Sequence, residues 1–274
     1  MKYGVAIRNM GPQSTRTTIN ACARAAEDLG FDALFVSDHL CIPPDDIEGS
    51  GGRYLDVLTT LAYVAGATTR IRLGISVLVL PYRPAVLTAK QIATIQELSG
   101  ERMILGVGVG WMKHEFQVLG VDRRKRGRIT NETLRVINHL FAHEAEAFSG
   151  DQLSFPAFMF LPKPRRPPIW VGGNGERALE RALEFGQGWH PMLPAEKLAP
   201  IVKTLQQKAR ERGRTELEVI VRRLLKPEDP AAARARIEAE RDAGATYFIL
   251  DLGRYASERE FIAQAATFMA KAAV

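Results

Sequence analysis

The chain is poor in the residues that hold small scaffolds together. Of 274 residues only Cys22 and Cys41 are cysteine, so no disulfide framework can form, and their spacing fits no thiolate metal site. Such usage suits a reducing compartment, and a cytoplasmic protein is expected. No apolar run approaches the roughly 18 residues of a membrane-spanning helix. The start, MKYGVAIRNMG, lacks the apolar h-region of a secretory leader. There is no low-complexity tract and no Ser/Gly linker, so one domain over 1–274 is expected. No serine sits in a G-x-S-x-G elbow, which removes that route to a Ser-His-Asp hydrolase. An excess of one charge sign is slight: 37 Lys and Arg stand against 31 Asp and Glu, a net +6. It is spread thinly except in DRRKRGR (122–128). With no interleaved aromatic platform, that run reads as a solvated helix entry rather than a nucleic-acid patch. An intermediate option is that one of its arginines helps hold an anionic cofactor.

What is present is an ordinary globular balance, 46% hydrophobic and 25% charged, on a chain close to the roughly 250 residues of an α/β barrel. The organisation is an alternation. Strands are predicted at 2–8, 33–39, 71–80, 102–110, 167–173, 188–193, 217–225 and 245–252. Between and after them lie helical patterns at 15–30, 55–67, 84–100, 124–142, 176–186, 195–212, 230–243 and 257–272. IRLGISVLVL (71–80) is nearly all apolar, as a parallel strand covered on both faces must be. Eight strands alternating with eight helices predict a (β/α)₈ TIM barrel. The stretch 143–166 breaks the rhythm and reads as an insertion before strand five.

LGVGVGW (105–111) looks at first like a dinucleotide loop. The pattern G-x-G-x-x-G requires a third glycine at 111 or 113, where Trp111 and Lys113 stand. About 20 residues on, where a strand-end acid belongs, the periodicity is helical. Glycine alternating with valine instead predicts a strand with one crowded face.

Barrel chemistry sits at the C-terminal ends of the strands. The candidates there are Ser37, Asp38 and His39; Val79, Leu80 and Pro81; Gly110, Trp111 and His114; Gly172, Gly173 and Asn174; Trp189, His190 and Pro191; and Asp251 with Arg254. WVGGNGER ends a strand and opens a helix, where free amides and the helix dipole suit a phosphate, though a simple tight turn fits as well. His39 offers a proton donor or acceptor, with Asp38 placed to orient it or to cap a turn. His39, His114 and His190 are candidates for a shared metal site, but inward carboxylates are few and no metal is expected. Trp111 and Trp189 offer walls for a flat ring. A slot, a phosphate seat and one titratable histidine suit hydride transfer on a bound organic cofactor.

GPQSTR, AEDLGFDALFVSDHL, IRLGISVLVLPYRPAVLTAKQIATIQELSGERMILGVGVGW, EFQVLGV, RGR and PPIWVGG…ALERALEFGQGWHP together resemble the luciferase-like monooxygenase superfamily over residues 1 to about 252. The branch they resemble most is that of F420-dependent oxidoreductases. The resemblance implies a deazaflavin (F420), or alternatively FMN, lying across the strand ends. It implies a non-prolyl cis peptide at Ser76–Val77 behind the ring, and strand-four glycines, Gly108 among them, that permit close approach. It places the phosphate seat at Gly172–Gly173. The cofactor-binding set is then Asp38, Ser76, Val77, Gly108, Trp111, Gly172, Gly173, Asn174 and Trp189, with His39 catalytic. Trp111 stands where the family's sugar-phosphate dehydrogenases carry a catalytic Glu, which argues against sugar-phosphate oxidation. Val109 stands where luciferases carry an Arg for the FMN phosphate, which weakens FMN. The expected function is an F420-dependent oxidoreductase with a small-molecule substrate, acting as a homodimer. The alternatives are an FMN monooxygenase served by a separate reductase and a cofactor-binding protein without turnover.

Overall fold

A computed structural model describes residues 1–226 and 228–271. Eight parallel strands close into a ring: β1 (Lys2–Ala6), β2 (Ala33–Val36), β3 (Arg72–Ile75), β4 (Met103–Gly108), β5 (Ile169–Gly172), β6 (Gly188–His190), β7 (Glu218–Leu224) and β8 (Tyr247–Asp251). Each pairs in parallel with the next. The ring shuts where Val5 of β1 pairs with Leu250 of β8, and Leu73 of β3 with Met103 of β4. Eight outer helices alternate with them: α1 (Arg16–Asp28), α2 (Val57–Ala67), α3 (Ala85–Leu98), α4 (Arg126–Ala142), α5 (Glu176–Phe185), α6 (Ala195–Glu211), α7 (Pro230–Asp242) and α8 (Glu258–Lys271). This is the predicted TIM barrel. Among the described residues no helix is long and apolar enough to cross a membrane.

The helices start and stop where local chemistry dictates. Thr15 caps α1 by accepting from the Thr18 amide, and Ile19, Cys22, Ala23 and Ala26 form its buried stripe. Asp56 caps α2 through the Thr59 amide. Asp229 caps α7 through the Ala232 amide, with Pro230 at the first helical position.

Inside the ring, Ala33, Phe35, Ile104, Trp170, Ile220, Tyr247 and Ile249 form a closed core cluster with Ala6. Phe35 stacks on Trp170 at 5.6 Å, and Tyr247 meets both edge-on. Gly4 and Gly74 make room for Phe35: a methyl group on Gly74 would sit 2.1 Å from its ring. This plug seals the barrel and becomes the base of whatever sits above it.

Two departures from the expected strands matter for the site. The run 71–80 does not continue as one strand. It breaks at the cis peptide Ser76–Val77, and Leu78–Val79 resumes against β4, outside the ring. The insertion 143–166 carries a short hairpin, Phe148–Ser149 against Ser154–Phe155. Its turn is tied to α4 by Glu132, which accepts from the Gln152 amide.

Candidate active site

Strand alternation builds the floor of the mouth. Residues one layer above the aromatic plug point inward, and they are Ser37, Ser76, His190, Arg222 and Asp251. Arg222 spans the ring. Its Nε donates to Asp251 Oδ2 at 2.9 Å and its Nη1 to Ser37 Oγ at 2.9 Å, with the Ser76 carbonyl at 3.3 Å. His190 donates from Nδ1 to the Ile220 carbonyl at 2.9 Å. Its Nε2 then accepts from the Ser76 hydroxyl at 2.8 Å. Burial, with Arg222 and Arg223 nearby, pushes the His190 pKa down to about 4 against the pull of the Ile220 bond. His190 is therefore neutral at ordinary pH, in one tautomer.

His39 stands above this floor at the end of β2. Its Nδ1 donates to Glu115 Oε2 at 2.9 Å. Glu115 is fully buried and also accepts from the Leu40 amide at 2.5 Å, the Cys41 amide at 3.1 Å and the Tyr82 hydroxyl at 2.8 Å. Burial alone would raise its pKa. The bonds from His39, the two amides and Tyr82 outweigh burial and hold the carboxyl below its ordinary value. A buried carboxylate on Nδ1–H fixes the tautomer and leaves Nε2 as the working nitrogen. The His39 ring lies 5.0 Å from Tyr54 and 5.9 Å, edge-on, from Trp111.

The sequence places Asp38 either to orient His39 or to cap a turn, and the resemblance puts it in the cofactor-binding set. The structure gives the first task to Glu115. Asp38 turns away from the mouth, accepting from Arg83 at 2.7 and 2.8 Å and from the Val79 amide at 2.9 Å. It ties the β2 end to the Leu78–Val79 segment. Successive residues of an extended chain point to opposite sides, so His39 and Asp38 cannot both face the mouth.

The strand-four glycines serve Val77. A methyl group on Gly106 would sit 1.9 Å from the Ile75 carbonyl oxygen, and one on Gly108 would sit 2.7 Å from Val77 Cγ2. A Cβ on Gly172 would sit 3.2 Å from the same side chain. These glycines let the Ile75–Val77 backbone and the Val77 side chain cross the top of the barrel. That close approach between chain segments is what the alternation in LGVGVGW encodes.

Gly173 turns the chain at φ 127°, and a Cβ there would run to 2.9 Å from Ala178 Cβ. Its carbonyl accepts from Trp189 Nε1 at 2.7 Å. Trp189 is fully buried, so it supports the Gly172–Gly173 turn from behind and is not a wall of the slot. The cause is again parity: Gly188 and His190 face the barrel, so Trp189 faces the helix layer. Trp111, at 64% exposure, does stand open at the mouth. Asn174 Oδ1 accepts from the Met192 amide at 2.7 Å. From Val109 and Gly172 a cavity of about 870 Å³ runs outward between the starts of α4 and α5. Arg124, Arg126, Arg128, Arg177 and Arg181 line it, so the basic run 122–128 faces the glycine turn.

Val79, Leu80 and Pro81 are buried in packing, and Pro191 likewise. Gly110 sits against Phe116 at φ 76°. Arg254 is exposed and His114 half-buried. His39 and His190 engage separate partners and do not share a metal site. Among the described residues the one group spaced to hold an ion is His139, His143 and Glu146, on α4 and the loop after it. Sequence reasoning missed Glu115 and Arg222. Arg222 was legible through parity, since it shares the inward face of β7 with Ile220. Glu115 offered no signal beyond an acid beside Phe116.

Comparisons with known proteins place the fold. The model of the luciferase-like monooxygenases matches residues 1–271. The chain belongs to this family. A 5,10-methylenetetrahydromethanopterin reductase of Methanolobus tindarius is 31% identical over 205 residues, 73% of this chain and 57% of that protein. Two solved structures share the fold at lower identity. An F420-dependent secondary alcohol dehydrogenase, in complex with an F420–acetone adduct, has a TM-score of 0.81 at 16% identity, covering 98% of this chain and 97% of that one. The FMN-bound oxygenating constituent of 3,6-diketocamphane monooxygenase, a type II Baeyer–Villiger enzyme of Pseudomonas putida, has 0.82 at 14%, covering 100% and 98%. The luciferase-like barrel is thus a family of oxidoreductases, with F420- and FMN-type members among these neighbours.

Proposed function

We propose that this luciferase-like oxidoreductase uses F420 to move a hydride to or from a small organic substrate, with His39 handling the accompanying proton. One observation carries the choice of cofactor: the arginine-lined cavity beside Gly172 and Gly173. Five arginines face Glu176, Glu180 and Glu184 there, and Glu180 is already held by Lys208 and Arg212. The F420 side chain is a phosphodiester extended by carboxylates. A polyanion of that length suits arginines spread over two elements better than a single terminal phosphate does. The fold shared with the F420-dependent secondary alcohol dehydrogenase is in keeping with the same reading.

The residues present fit such a group. Gly172 and Gly173 keep side chains out of the seat, where a Cβ would meet Val77 and Ala178. Val77 offers an apolar surface at the floor, and Trp111 stands open at the mouth beside His39. F420 supplies, when bound, a two-electron hydride carrier that no side chain provides. The protein supplies the rest. Glu115 holds Nδ1–H of His39, so Nε2 accepts or returns one proton toward the mouth. His190, neutral, holds Ser76 in place rather than moving protons. Arg222 fixes the floor and carries positive charge into it.

The second reading, an FMN monooxygenase served by a separate reductase, is favoured by the full-length fold shared with the FMN-bound monooxygenase. Fluorescence titration separates the two. F420 is expected to bind wild type at micromolar levels and more tightly than FMN. Gly173→Asp is expected to abolish binding, because any side chain is strained at φ 127° and this one adds negative charge beside the seat. Tighter FMN binding would transfer the proposal to the second reading. Binding of neither would end both.

A further inference from the structure

A separate cavity of about 270 Å³ opens at the ends of β1, β7 and β8. Its wall is part apolar, from Ile7, Met10 and Leu224, and part charged, from Arg8, Arg222 and Asp251. Arg222 is matched by Asp251 at 2.8 Å. Arg8 has no carboxylate partner among the described residues. Its Nη2 donates to the Gly49 carbonyl at 2.5 Å and its Nη1 to the Gly253 carbonyl at 3.4 Å, while its buried Nε has no partner among the described residues. Two guanidiniums against one carboxylate leave the lining at +1.

A guanidinium half-buried without a counter-ion calls for an anion. One net charge suits a monoanion, whereas a phosphate dianion would ask for two. The apolar wall asks for a hydrocarbon body, and the volume admits only a small one. One residue, Tyr54, links the cavity's Met10 to the proton-handling His39. Tyr54 pairs with Met10 in an isolated antiparallel bridge, lies in the fields of Arg8 and Arg222, and packs its ring 5.0 Å from that of His39.

We infer that this cavity is the substrate subsite and that it takes a small monocarboxylate with an apolar body, recognised by the charge of Arg8. The role of the acid as substrate rests on the oxidoreductase reading; its binding is a property of the cofactor-free chain.

The test is calorimetric titration of the cofactor-free protein with butanoate, hexanoate and benzoate. The matching amides and inorganic phosphate serve as comparisons. At least one carboxylate is expected to bind with millimolar affinity or better, at least tenfold tighter than its amide and than phosphate, and more weakly as salt rises. Arg8→Gln is expected to lose tenfold or more and Arg8→Lys to retain most of the affinity. If Arg8→Gln fails to fold, Met10→Trp, which fills the cavity, is expected to abolish binding. Arg177→Gln, in the other cavity, is expected to leave it unchanged. Equal binding of acids and amides, tighter binding of phosphate, no binding below 10 mM, or loss on Arg177→Gln instead of Arg8→Gln overturns the inference. None of these outcomes depends on F420, whose own titration reports separately on the cofactor.

Discussion

Replacing Glu115 with glutamine changes no volume and removes one charge, so it isolates what the buried carboxylate does. The amide oxygen can keep the Leu40 and Cys41 amides, which now bond Oε1. The new NH₂ then faces His39 Nδ1 and the Tyr82 hydroxyl, both of which now donate to Oε2 at 2.9 and 2.8 Å. Two donors meeting a donor must rearrange. Tyr82 can rotate its hydroxyl. His39 can accept from the NH₂ only by moving its proton to Nε2. The mouth-facing nitrogen then turns from acceptor to donor. The loss of charge-assisted bonds and the rearrangement should cost about 1–3 kcal/mol of stability. In the direction where Nε2 takes the proton, the rate should fall by about 10²-fold or more, with cofactor affinity little changed. The pH dependence adds a second readout. The Glu115 pKa is lowered in the folded state, so its stabilisation is complete above the ordinary carboxylate range and is lost as pH falls through the depressed value. The stability gap between wild type and Glu115→Gln should therefore close on acidification. Denaturant unfolding across pH, with single-turnover kinetics in both directions, measures all of this. Turnover that is unchanged in both directions, with a gap that does not vary with pH, would refute the role assigned to Glu115.

His39→Ala should lower single-turnover hydride transfer by about 10²–10⁴-fold while cofactor affinity stays near wild type; a lowered melting temperature with intact turnover would assign His39 to structure instead. His190 is neutral when folded, with its pKa at about 4 against 6.5 for the free side chain, so unfolding takes up a proton between those values. Stability should be full above pH 6.5 and fall by roughly 3 kcal/mol as pH drops to 4; a His190→Gln variant with the same acid profile in denaturant melts would contradict this. We further propose that the chain forms an isologous homodimer, and light scattering at micromolar concentration should report twice the 30.3 kDa of one chain. A monomer there would exclude it.

Periodicity in the sequence determined the barrel. Short apolar runs and period-3.6 stripes are local, and eight of each in alternation admit few architectures. Local chemistry also marked the Gly172–Gly173 turn and the strand end that carries His39, while Ser76 was named only through the family resemblance and Arg222 not at all. It could not decide which neighbour each side chain finds. Asp38 and His39 are adjacent in sequence, yet one is held by Arg83 and the other by Glu115, 76 residues away. Trp189 read as a ring wall until the register of β6 turned it into the helix layer. The glycines of LGVGVGW read as one crowded strand face, and it took the structure to show that Ile75 and Val77 of the neighbouring segment do the crowding. Polar partners on a barrel rim are brought together by ring closure and strand register. Both are set by contacts far apart in the chain, and so the ion pairs at the mouth were decided only when the barrel closed.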